Sequence, residues 1–300
     1  MSRKFAHLDH DYLRDPSPAI WKNFPDGMAD LGYGGLHIWN DFTSLIADAG
    51  GSAAATISPD GRWELYTDTG QTINHGTDIV ITDPSTLTAL TDDAAAGYDV
   101  DVDWDVGTWV FAGDGTDEDE SGIKGQELFI MNKLSLKRLA FEWRLKLATV
   151  ADATGAYFCG LSDEQPGDSS LVDSTGELTA ASNYLGFQIL SADGNAWRPV
   201  YQAGGQTKQL KGTAVATAAK YIKLGFVLDL TGASATPNKR GKFFVNGVEH
   251  STYITQANFE AATFPNDVAM GLAFFRKMTS VTDVVATLDW VKGFMEIDRV

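Results

Sequence analysis

A chain of 300 residues with 44% apolar and 21% charged side chains is long enough for one core to bury about 75% of the surface its unfolded form exposes, which excludes a marginal peptide and a disordered chain. Forty acidic against 23 basic side chains give a net charge of −17, which repels nucleic acid and anionic lipid and favours partners with basic patches. The acid is uneven: 11 carboxylates and no Lys or Arg fall between Asp92 and Glu120.

Residues 1–37 hold Pro16, Pro18 and Pro25, the scattered aromatics Phe5, Tyr12, Trp21 and Phe24, and the run Gly32-Tyr33-Gly34-Gly35, with no sustained period of 2 or 3.6. This reads as an extended N-terminal arm ahead of a domain over residues 38–300. An isolated arm cannot bury its own aromatics, so Phe5, Tyr12, Trp21 and Phe24 are candidate partner-binding residues, docking on a neighbouring chain or else on the body of the same subunit. His7 and His10 carry metal-ligating groups, but an arm supplies no rigid surroundings to hold them, and no metal is assigned. The first ten residues turn acidic and aromatic where a secretory leader needs about 7–15 apolar ones. No stretch reaches the roughly 18 apolar residues of a membrane span. The one cysteine, Cys159, has no internal partner and lies in the alternating run Ala156–Leu161, where a buried strand thiol is expected. Together these predict a chain made and kept in a reducing cytoplasm.

After Trp39-Asn40-Asp41-Phe42 the sequence becomes short apolar runs separated by Gly, Asp, Asn, Ser and Thr, the pattern of an all-β, antiparallel β-sandwich. The clearest predicted strands are Arg62–Tyr66, Glu127–Met131, Ala140–Leu147, Ala156–Leu161, Tyr184–Leu190, Arg198–Tyr201, Tyr221–Leu228, Lys242–Val245 and Ala286–Ile297. In Phe141-Glu142-Trp143-Arg144-Leu145-Lys146-Leu147 apolar and charged residues alternate, which predicts one buried and one wet face. Asn246-Gly247 predicts a type I′ hairpin turn. Only Gln256–Ala262, opened by Thr255, and Ala214–Lys220 read as helical.

The string Gly-Lys-Phe-Phe-Val-Asn-Gly-Val at residues 241–248 resembles the strand and turn of concanavalin A-like jelly rolls, including laminin G and pentraxin-type domains. Asn40-Asp41-Phe42 resembles their opening and Leu288-Asp289-Trp290-Val291 their closing strand, which implies that the first and last strands are neighbours. The order of these motifs, with Phe141-Glu142-Trp143, Gly160-Leu161-Ser162-Asp163, Leu185-Gly186-Phe187 and Phe264-Pro265-Asn266-Asp267, is similar to virion structural proteins of tailed bacteriophages. That resemblance spans most of residues 40–300. It implies a decoration or cement protein on the capsid exterior, with the major capsid protein as partner and a homotrimer favoured.

The chemistry expected of a glycosidase is missing from the sequence. Retaining enzymes hold two carboxylates about 5–5.5 Å apart, and enzymes of this fold present Glu-x-Asp-x-x-Glu on one strand. The nearest match, Glu296-Ile297-Asp298, lacks the third acid. Asp117-Glu118-Asp119-Glu120 sits among glycines and reads as a loop. Asp99, Asp101, Asp103 and Asp105 fall on one side of an extended strand, where adjacent pairs could share calcium, but a charged edge strand that blocks sheet-to-sheet pairing is the favoured reading. There is no His-Glu-x-x-His, no Gly-x-Ser-x-Gly and no phosphate loop; Gly204-Gly205-Gln206-Thr207-Lys208 reads as a hairpin tip. Carbohydrate binding needs only exposed rings and a few polar groups. Trp104, Trp109 and Trp197, beside acidic or Gly-rich turns, are its candidates, whereas Trp143 and Trp290 are expected in the core. The sequence thus predicts a non-enzymatic protein with no cofactor or catalytic residue. Two readings stand: capsid decoration, and a carbohydrate-binding module for a host or environmental glycan, displayed on the virion.

Overall fold

The computed structural model describes residues 16–22, 24, 35–40, 42, 49–50, 54–57, 63–67, 72–75, 109–112, 120–132, 134–148, 155–164, 178–190, 196–210, 212, 214–215, 220–231, 239–278 and 285–298. The first strands are β1 (Gly35–Asn40), β2 (Ala49–Gly50), β3 (Ala54–Ile57), β4 (Trp63–Thr67), β5 (Thr72–His75) and β6 (Trp109–Ala112). They are followed by β7 (Glu120–Gly125), β8 (Phe129–Ile130), β9 (Leu136–Leu147), β10 (Gly155–Ser162), β11 (Tyr184–Ile189) and β12 (Ala196–Gln202). The remainder are β13 (Gln209–Leu210), β14 (Ala214–Val215), β15 (Tyr221–Asp229), β16 (Lys239–Val245), β17 (Val248–Thr255), β18 (Ala269–Met278) and β19 (Ala286–Ile297). Two short helices, α1 (Pro18–Trp21) and α2 (Gln256–Glu260), accompany them. Neither is long and apolar enough to cross a membrane.

The strands form two antiparallel sheets. One runs β17-β16-β15-β9-β19-β6-β5-β2, with β1 also on β19; the other runs β13-β12-β11-β10-β18-β7-β4-β3, with β14 on β12 and β8 on β18. The chain switches sheet between β9 and β10, between β14 and β15, and at β18 and again at β19. This is the connectivity of a jelly-roll sandwich, the fold the sequence predicts. β1 pairs with β19 from Gly35 opposite Glu296 to Asn40 opposite Val291, so the first and last strands are neighbours.

Alternate residues point to opposite faces of a strand, and the inward ones form the core. Phe42, Trp63, Trp109 and Trp143 meet there with ring centroids 4.7–6.5 Å apart. Phe141, Phe226, Phe243 and Phe187 continue the same core. Cys159 is buried on the inner face, and burial pushes its thiol well above the ordinary range.

Most predicted strands stand with bounds shifted by a residue or two, and Ala286–Ile297 is unchanged. β9 is longer than read and β8 shorter. Asn246 and Gly247 both take positive φ, +49° and +75°, as a type I′ turn requires. Thr255 caps α2, its hydroxyl accepting from Asn258 N, an N-cap with a reciprocal side-chain bond. Gly204–Lys208 links β12 to β13 as a tip. Three readings are corrected. Ala214 and Val215, read as helical, pair with Trp197 and Ala196. Glu120, read as loop, opens β7 and is fully buried. The even face of β9, read as wet, is buried at Glu142, Arg144 and Lys146; a central strand whose outer face is covered by other chain segments has no wet side. The acidic segment's Asp99–Asp105 and Asp117–Asp119 lie outside the described residues.

Trp143 packs against the Phe42 ring and, across the sandwich, the Trp63 ring, so truncation leaves a large cavity. Trp143→Ala should lower the unfolding free energy by about 3–5 kcal/mol in urea titration, and Leu134→Ala, at an exposed turn, by under about 0.5 kcal/mol.

Candidate functional site

The outer face of the nine-stranded sheet is roofed by residues 16–22 and 24. Pro18 at the first position of α1 suits a helix start, where its missing N–H has no intrahelical partner to lose. Ile20 enters over β15, where a Cβ at Gly225 would overlap its Cδ1. Trp21 and Phe24 are buried with Ala140, Phe244 and Phe294, and Phe24 meets the Phe294 ring edge-on at 4.8 Å. Of the four predicted partner-binding aromatics, these two therefore pack on the body of their own subunit; Phe5 and Tyr12 lie outside the described residues.

Glu142 of β9 anchors this roof. Its Oε2 accepts from Ser17 N at 2.9 Å and from Trp21 Nε1 at 2.7 Å, while its Oε1 is buried with no partner among the described residues. Burial pushes the carboxyl above its ordinary 4.5, against the Ser17 and Trp21 hydrogen bonds and the Lys223 charge, which pull it down. Beside it, Lys292 Nζ sits 4.6 Å from the Trp21 ring and 5.6 Å from the Trp39 ring, an attraction of cation to ring face. Further along, Arg144 is ion-paired with Asp289 and lies 3.9 Å over Tyr221.

Next to this roof a cleft of about 400 Å³ opens along β1. His37, Ile38, Trp39 and Asn40 form one wall; Trp63, Gly125, Gln126, Leu128 and Leu272 from the opposite sheet and its loops form the other. Trp39 stacks on Trp290 at 5.4 Å and 21°, which fixes the indole while 40% of the residue stays exposed. Asn40 is 6% exposed. Its Oδ1 accepts from Phe42 N at 2.7 Å, which holds Phe42 at φ +53° as it enters the core. None of the described lining residues is Asp, Glu, Lys or Arg, and His37 is the titratable one among them.

The other candidates fall elsewhere. Trp109 and Trp197, read as sugar platforms, are corrected to core residues with no exposure: their strands face them inward, whatever the turns beside them. Trp143 and Trp290 are buried as expected. Trp104, His7 and His10 lie outside the described residues. Glu296 is ion-paired with Arg138 at 2.5 Å and Asp298 with Lys137 at 3.1 Å. His250 Nδ1 bonds Thr252. Among the described residues no three of His, Cys, Asp and Glu converge as a metal site. The exposed indole of the cleft, Trp39, stands in the sequence only as the residue before the Asn40-Asp41-Phe42 motif.

No protein-family model matches the chain, and no curated protein sequence matches it. Solved structures with a similar chain trace include a protein of unknown function from Shewanella oneidensis MR-1, 10% identical, with a TM-score of 0.49 over 89% of each chain. An endo-1,3-β-glucanase from Streptomyces sioyaensis is 12% identical, with a TM-score of 0.46 over 88% of this chain and 97% of that one. A carbohydrate recognition domain of Emp46p is 10% identical, with a TM-score of 0.45 over 85% of this chain and 97% of that one. The chemistry of the cleft rests on this chain's own residues.

Because folded Glu142 holds its proton more tightly than the unfolded chain does, this group's contribution to stability falls as pH rises above 4.5. Glu142→Gln keeps an acceptor for Ser17 and Trp21 and should leave stability at neutral pH equal or higher, with a flatter pH profile in thermal melts. Glu142→Ala strands two buried donors and should cost about 1–3 kcal/mol.

Proposed function

We propose that the chain is a carbohydrate-binding module that holds a glycan in the cleft beside β1 without cleaving it. The observation that carries this reading is Trp39: a half-exposed indole, clamped on one face by Trp290, at the mouth of a cleft with amide and imidazole groups. A rigid aromatic face accepts the apolar face of a sugar ring at small entropic cost, and a few polar groups then fix its orientation. Carboxylates for acid and nucleophile are missing from the described lining, which supports binding over hydrolysis.

Capsid decoration is the second reading. Beyond the sequence resemblance it is favoured by exposed Leu128, Ile130 and Leu134, on β8 and its flanking turns, an apolar group of the kind that marks protein contacts. A capsid lattice would multiply such weak contacts by local concentration, with the major capsid protein as partner and a trimer as the repeating unit. The burial of Trp21 and Phe24 removes two of the arm's four aromatic anchors from that role.

On a glycan array the protein should bind a defined subset of polysaccharides, Trp39→Ala should lose that binding with an unchanged melt, and incubation should release no reducing sugar. An array without hits, together with co-sedimentation on stripped phage capsids that Leu128→Ser or Leu134→Ser abolishes, contradicts the proposal and selects the second reading.

A further inference from the structure

We infer that the cleft recognises an N-acetylated hexosamine, with the acetamido group seated against Asn40. This rests on the glycan-binding reading and names the sugar class. Asn40 lines the cleft and is 94% buried by difference from its 6% exposure. Its amide is oriented by Phe42 N, which takes Oδ1; Nδ2 is thereby left as a buried donor with no partner among the described residues. A buried donor without an acceptor is costly, and a small turn of the Asn40 side chain toward the cleft it lines would bring Nδ2 to a ligand oxygen.

The chemistry of that oxygen follows from the rest of the lining. The described lining holds no Lys or Arg, and nearby Lys292 is held over the Trp21 and Trp39 rings, so a carboxylate or sulfate at Asn40 would leave water without a charge partner. A hydroxyl can also accept from Nδ2, but it brings no apolar group to the Ile38, Leu128 and Leu272 side chains of the same lining. An amide carbonyl only accepts, which matches a group that only donates. Its methyl then meets the apolar side chains of Ile38, Leu128 and Leu272, which line the same cleft. Trp39, one residue earlier, supplies the face for the pyranose ring. The two successive side chains point to opposite sides of β1, and the cleft reaches both because, among the described residues, β1 pairs with β19 alone.

Isothermal titration with tri-N-acetylchitotriose and with cellotriose isolates the acetamido group, since the two share linkage and ring. The wild type should bind the acetylated trimer at least about tenfold more tightly, the worth of one good buried hydrogen bond plus a buried methyl. Asn40→Asp keeps an oxygen for Phe42 N but has no donor, and should erase that preference. Circular dichroism checks its fold, and the wild-type comparison stands without the variant. Equal binding of both trimers, lost in Trp39→Ala, overturns the acetamido inference and leaves the glycan reading in place. Binding of neither trimer also overturns the inference, and the glycan array then decides the broader reading. A preference that survives in folded Asn40→Asp overturns the role of Asn40.

Discussion

The division of one edge of β19 between two partners is the constraint on which the rest of the structure depends. Its other edge pairs with β9 over nearly the whole length, whereas this edge holds β6 at residues 286–288 and β1 at residues 291–296. The register shifts between Leu288 and Trp290, and such a bulge re-aims the side chains that follow it. Past the shift, Trp290 faces outward under Trp39 and Val291 faces the core. β1 is thus fixed by six residue pairs and one indole stack. Phe42 then plugs the core among Trp63, Trp109 and Trp143. The cleft exists because β1 is held so firmly on one edge while its other edge faces Gly125, Gln126 and Leu128.

The buried charges of the nine-stranded sheet's outer face follow from the same centre. Glu142 lies opposite Lys292 on β19 and opposite Gly225 on β15. The missing side chain at Gly225 makes room for Ile20, and that lets Ser17 and Trp21 reach the carboxylate. Burying a carboxylate is costly unless it is paired and hydrogen-bonded; two donors and neighbouring cations offset the penalty in part, and the raised proton affinity records the remainder. Lys292 joins this roof to the cleft by lying between Trp21 and Trp39. The segment before β1 is therefore tied to the wall of the site by aromatic and cationic contacts.

Local signals in the sequence carried the architecture further than the site. Alternation in Phe141–Leu147 located β9 because period two survives wherever one face is apolar, and Asn246-Gly247 located a hairpin because positive φ at two successive residues restricts composition. β18 carries no local signature: Ala269–Met278 is apolar on both faces, which hides its period, since Phe274 and Phe275 are buried on opposite sides of one sheet. The wetness of Glu142, Arg144 and Lys146 was misread because charge in a strand says where water would be preferred, and a roof over 100 residues away in sequence decides otherwise. Trp109 and Trp197 were misjudged for the same reason: the turns beside them are polar, but pairing sets their direction. Trp39 and Asn40 became a site only when β1 met β19 and the opposite sheet's loop came within reach, a juxtaposition with no local signature.

The claim that ligand sits beside β1 is tested most directly by nitrogen-15 NMR of the indole and side-chain amide signals during titration with tri-N-acetylchitotriose. The account predicts progressive shifts of the Trp39 indole and the Asn40 side-chain amide, with the core indoles of Trp109, Trp143 and Trp197 unmoved. Shifts confined to other indole and side-chain amide signals, with Trp39 and Asn40 unchanged, would contradict it.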